Sequence, residues 1–107
     1  MNPITYYCDN SSTQSLSEKW GSRLEKMPTP AKEFLVSLIG NALFLNCSVV
    51  DIAESVMGTP KICFVSGYGT EVSLLRQLSN YDMAKILEFF STAIAEDYRR
   101  KELENLN

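Results

Sequence analysis

Residues 30–47, PAKEFLVSLIGNALFLNC, constrain the fold more than any other stretch of this 107-residue chain. On a 3.6-residue repeat, Ala31, Phe34, Leu35, Leu38, Ala42 and Leu45 form one apolar stripe. Val36, Ile39 and Leu43 form a second beside it. A surface helix has one apolar face, whereas a helix with two needs neighbours on two sides. The segment therefore reads as the central post of a small helical domain. Thr29 is placed to cap it, with Pro30 in the first turn, where a missing N–H costs nothing. The remaining side carries Glu33, Ser37, Gly40 and Asn41, small enough to admit another helix, although a partly solvated side is the simpler reading. Phe44 also lies there and is expected to cover the first helix.

The flanking segments supply the neighbours. Residues 1–13 are polar and read as an N-terminal arm, either mobile or a short edge strand with Ile4, Tyr6 and Cys8 alternating. The helical domain is expected over 14–107. Ser15 and Glu18 make a capping box for a first helix bearing Leu16, Trp20, Leu24 and Met27, which Pro28 ends. Ser48 and Asp51 open a short helix with Val49, Ile52, Ala53 and Val56 facing inward, and Gly58 and Pro60 stop it. Residues 61–66, KICFVS, have the β-branched and aromatic content of a strand. Thr70 opens a fourth helix carrying Val72, Leu74, Leu75 and Leu78. Ser79 and Asp82 open the last and longest, whose face is Met83, Leu87, Phe90, Ile94 and Tyr98, flanked by Ile86 and Ala93. Core contact is expected to stop near Tyr98, with Glu96–Arg100 and Asp97–Lys101 as solvated i,i+4 pairs. The fold expected is mainly α: a single-domain bundle of about five helices, with at most one short strand or ribbon near 61–66.

Composition narrows the function. The chain has no histidine, which removes the commonest general base, the serine and cysteine triads and most zinc sites. Cys8, Cys47 and Cys63 form no CxxC pair and read as free thiols. No pair of carboxylates is placed to flank a substrate. Neither a metal nor a cofactor is expected, and no enzymatic activity. The net charge of −3, with both signs interspersed, does not favour nucleic acid. No apolar run approaches the ~20 residues of a membrane span. The N-terminus MNPITYYCDNSS lacks a basic region followed by an apolar core, so a cytoplasmic chain without a secretory signal is expected.

Three stretches remain as possible sites. The first is strand, glycine turn and helix over 61–78, in which Ser66, Gly67, Gly69 and Thr70 would present backbone N–H groups to an anion at a helix N-terminus. Locally, Ser66-Gly67-Tyr68-Gly69-Thr70 resembles the phosphate-binding turn that opens glycinamide ribonucleotide formyltransferases. The likeness covers residues 61–78 alone. In that family the turn starts a long parallel α/β domain and works with a histidine; this chain supplies neither. The resemblance implies a phosphate or nucleotide site at most. Without a ligand, Gly67 and Gly69 would simply provide positive-φ positions in a tight connection.

The second is VVDIAESVMGTP, which has the pattern of the first helix and turn of a DNA-binding helix-turn-helix. Its recognition helix would fall on 60–70, where Pro60, Gly67 and Gly69 interrupt it and Lys61 is the one cation. A dimer concentrating Arg99, Arg100 and Lys101 is the form this alternative takes. The third is a protein-binding surface built from Phe89, off the main face of the last helix, with Tyr68 at a loop tip and Arg99 and Arg100 nearby. This is the favoured reading: a small noncatalytic regulator, adaptor or inhibitor that binds another protein through helical surfaces. A homodimer through the last helix and Phe89 is expected with it.

Overall fold

The computed structural model describes residues 1–56 and 68–105. They form six α-helices: α1 (Ile4–Tyr7), α2 (Ser11–Trp20), α3 (Thr29–Leu45), α4 (Val49–Val56), α5 (Gly69–Arg76) and α6 (Asn80–Asn105). The chain is a small, mainly α domain, and no strand occurs among the described residues. The strand expected at 61–66 and the helix stop at Gly58 and Pro60 lie outside them.

The post is α3. Ala31, Leu35, Leu38, Ile39 and Ala42 are buried, and Phe34, Val36 and Leu43 pack half-buried against the same core. Both stripes are used because α3 packs on both α6 and α4. The stripe stops a turn early. Asn46 takes a left-handed conformation (φ 54°, ψ 50°), and α4 leaves at 112° to α3. Among the described residues none is laid over the last turn, and Leu45 is 58% exposed, contrary to its expected place in the core.

The N-terminal third departs from expectation. Residues 1–13 are not a loose arm: Ile4 is fully buried in α1, and its N–H donates to the Ser22 carbonyl at 2.7 Å. The first long helix begins earlier, at a reciprocal cap between Asn10 and Thr13, so Ser15 is an exposed interior residue and not a cap. Gly21, not Pro28, ends it. At φ 94° and ψ 155° its backbone lies in a region that a side chain blocks. Leu24 and Met27 are buried as expected, but from the loop that follows.

The later helices start where the sequence places them. The Ser48 hydroxyl accepts from the Val50 N–H, and the Ser79 hydroxyl from the Asp82 N–H, each at 3.1 Å. The buried face of α6 is turned from the one expected. Met83, Ile86, Phe89, Phe90, Ala93 and Asp97 are buried, while Leu87 is half-buried and Tyr98 is 44% exposed. The cause is α1, which packs on α6 and sets the Tyr7 ring edge-on to Phe89 at 5.5 Å. Phe89 is therefore a core residue with no exposed surface. The surface through which it was expected to anchor a partner or a second copy is covered by the chain's own N-terminus.

Candidate functional site

Among the described residues, Phe44 is the large apolar side chain that the fold leaves most open, at 86% exposure. It lies two positions beyond Ala42, about 200° around the helix, so burying Ala42 turns Phe44 outward. It does not cover the first helix. Leu45 beside it is 58% exposed. Toward the N-terminus the same side carries Asn41, Gly40 and Ser37. Asn41 donates its amide to the Ser37 carbonyl and Ser37 donates its hydroxyl to the Phe34 carbonyl, each at 2.8 Å. These polar groups are turned onto their own helix. A Cβ added at Gly40 would meet nothing within 4 Å. The end of α3 is thus an open ledge of apolar and small residues.

A second centre lies at the other end of α3. Asp97 of α6 is buried and accepts from Lys32 Nζ at 2.8 Å and Thr29 Oγ1 at 2.9 Å through one carboxylate oxygen, and from Arg100 through the other. Burial works to raise its pKa. The Lys32 ammonium, the Thr29 hydroxyl and the Arg100 guanidinium outweigh burial and hold the carboxyl below its usual range. Glu25, Asp97 and Arg100 line two pockets here of about 230 and 240 Å³, the first also lined by Arg23 and Glu96, the second by Lys101 and Glu104. Charges of both signs surround each pocket, and Asp97 is committed to its three donors. The arrangement locks α3 to α6.

A third centre joins α2 to α5. Glu71 is fully buried, and its Oε1 accepts from Lys19 Nζ at 2.7 Å and Trp20 Nε1 at 3.0 Å. Burial raises its pKa, but Lys19, its own backbone amide and Trp20 together bring it below the usual value. Its Oε2 has no hydrogen-bond partner among the described residues.

Glu71 bears directly on the glycine turn. Ser66 and Gly67 lie outside the described residues. Gly69 and Thr70 open α5, and Gly69 has no positive φ, because it is already helical. It is therefore not the left-handed turn position expected from the sequence. Glu71 brings a carboxylate into the first turn of α5, which meets the helix dipole internally and would repel a phosphate there.

The expected interface residues do not come together as a surface. Phe89 is buried. Tyr68 is not at an open tip; its ring stacks on Trp20 at 5.7 Å. Arg99 is exposed. Arg100 pairs with Asp97 and not with Glu96, and Lys101 lies 5.2 Å from the centre of the Tyr98 ring instead of pairing with Asp97. The basic run proposed for DNA is largely engaged within α6. Sequence reasoning missed Lys32, Asp97 and Glu71. The signal was present: Lys32 interrupts the apolar spacing with Leu35 and Ile39, and Asp97 continues that of Phe90 and Ala93. Opposite charges on two apolar stripes mark a buried pair.

Among the described residues, no group of three or more cysteine, aspartate and glutamate side chains is placed to hold a metal ion. No single helix among them is long and apolar enough to cross a membrane. No protein-family model matches the chain, and no curated protein or solved structure does either.

Proposed function

We propose that this chain is a noncatalytic protein-binding domain, a regulator, adaptor or inhibitor of the cytoplasm, whose partner sits on the uncovered end of α3. The observation that supports this reading is Phe44, 86% exposed beside an exposed Leu45, on a helix whose other apolar residues are buried or half-buried. Fully burying a phenylalanine is worth about 1.5–3 kcal/mol, which a partner would recover. Aromatic side chains are frequent anchors of protein interfaces. The neighbouring Ser37 and Asn41 already make their hydrogen bonds, so covering them strands few polar groups.

The test is site-directed photo-crosslinking in the cell that makes the protein. A photoreactive phenylalanine analogue at position 44 is expected to give discrete adducts with one or a few proteins. The same analogue at Ser91, exposed on α6, is the control and should not give them. Adducts at neither position, the same adducts at both, or adducts with nucleic acid alone from position 44 would overturn the reading.

A further inference from the structure

The charge around the α3–α4 corner says what kind of partner the ledge fits. From residue 33 to residue 56 the chain has not one lysine or arginine; its acids there are Asp51 and Glu54 on α4, and Glu33 at the far end of α3, where it accepts from the Tyr98 hydroxyl at 2.9 Å. Asp51 and Glu54 are exposed on α4, and neither makes an ion pair with a described residue. The end of α3 adds to this. A helix C-terminus carries a partial negative charge, and a lysine or arginine in the last turn ordinarily answers it. The last turn of α3 has none, nor has that of α4. Phe44 and Leu45 therefore stand at a negative helix end, with carboxylates on the helix that follows.

Resting on the protein-binding reading above, we infer that the corner docks a basic amphipathic helix of a different protein. Its apolar face would cover Phe44 and Leu45, and its lysines or arginines would meet Asp51, Glu54 and the α3 C-terminus. Ser37, Gly40 and Asn41 let that helix lie close along α3, since there is open space over Gly40. A second copy of this chain is the wrong occupant. A two-fold contact sets the same patch against itself, and this patch would bring carboxylates and negative helix ends together. Nucleic acid and anionic lipid meet the same repulsion. Charge of this kind governs partner choice and encounter rate more than raw affinity.

Paired peptides test the inference: one helical peptide with a leucine face and lysines elsewhere, and its counterpart with glutamates in place of the lysines. Binding is read by fluorescence anisotropy at physiological salt on the intact chain. The lysine peptide is expected to bind at least about tenfold tighter. Phe44→Ser should weaken it about tenfold, and Asp51→Asn with Glu54→Gln should weaken it and flatten its salt dependence. All three positions are exposed, and circular dichroism confirms that the variants fold. If both peptides bind equally and both need Phe44, the surface stands and the charge assignment falls. If neither binding event depends on Phe44, the surface itself falls. Binding to phosphatidylserine vesicles that Phe44→Ser abolishes, without peptide binding, would make the partner a lipid. A dimer by light scattering that Phe44→Ser dissociates would make it a second copy. Either outcome overturns the inference.

Discussion

Lys32 Nζ and Asp97 Oδ2 lie 2.8 Å apart with both side chains almost wholly buried, joining the first turn of α3 to the middle of α6 across 65 residues. A lysine in the first turn is misplaced for the helix dipole, whose N-terminal end is positive. Pro28, the N-cap, offers no side-chain bond, and the first turn has no acid of its own. Asp97 supplies that negative charge from elsewhere in the chain and also holds Thr29. Removing one partner leaves the other buried and uncompensated, at a cost of about 3–5 kcal/mol. Lys32→Met and Asp97→Asn should each show that loss in urea melts. The double variant Lys32→Met with Asp97→Leu should recover much of it, because an apolar pair of similar volume avoids the desolvation cost. Losses that simply add would show that the two residues do not act together.

Asp97 and Glu71 both titrate below their usual values, 3.8 and 4.5, in the folded chain. A carboxylate with a depressed folded pKa adds stability above its unfolded pKa and loses it as pH falls through the folded value. Stability should hold between neutrality and about pH 5, then fall as the pH drops below those two values. Asp97→Asn should flatten the acid limb of a Tm-against-pH curve. An unchanged slope would mean that Asp97 is not held ionised by its donors.

Phe44 and Phe89 should respond oppositely to truncation. Phe89 is buried between Tyr7 and Phe90, so Phe89→Ala should cost about 3–5 kcal/mol. Phe44→Ala should stay within about 0.5 kcal/mol in the isolated chain, as surface substitutions usually do. Comparable losses at the two positions in denaturant melts would contradict the burial described here.

Three glycines separate backbone need from free space. Gly21 sits in a conformation close to glycine-only, and Gly21→Ala should destabilise by about 1–3 kcal/mol. Gly40 is in the middle of α3, where an alanine would meet nothing, so Gly40→Ala should stabilise by about 0.5–1 kcal/mol. Gly69→Ala at the start of α5 should also be tolerated, since there too a Cβ meets nothing. Thermal melts give all three signs. Destabilisation by Gly69→Ala would restore a special turn at that position.

Leu38 tests the post itself. It is buried in α3, and Leu38→Ala should cost about 2–5 kcal/mol, since the cavity cannot fully collapse. A loss below about 1 kcal/mol would remove α3 from the centre of the domain.

What the sequence determined by itself was local and periodic. The two stripes of α3, the hydroxyl caps Ser48 and Ser79, and the inward Val49, Ile52, Val72 and Leu75 depend on spacing within one turn, which the chain writes directly. The tertiary structure decided which side of each helix is covered. The α6 spacing permits 83, 87, 90, 94 as readily as 83, 86, 90, 93, and packing against α3 and α1 selects the second, with α1 covering Phe89. The 112° turn after Asn46 likewise withdraws cover from Leu45, although its position on the repeat is that of a core residue, whereas Phe44 already lies on the side the repeat turns outward. The buried charges depended on both. Lys32 and Asp97 stand on apolar stripes in the sequence, but a charge on a stripe becomes a pair only when packing brings two helices together and removes the water that would otherwise solvate each alone.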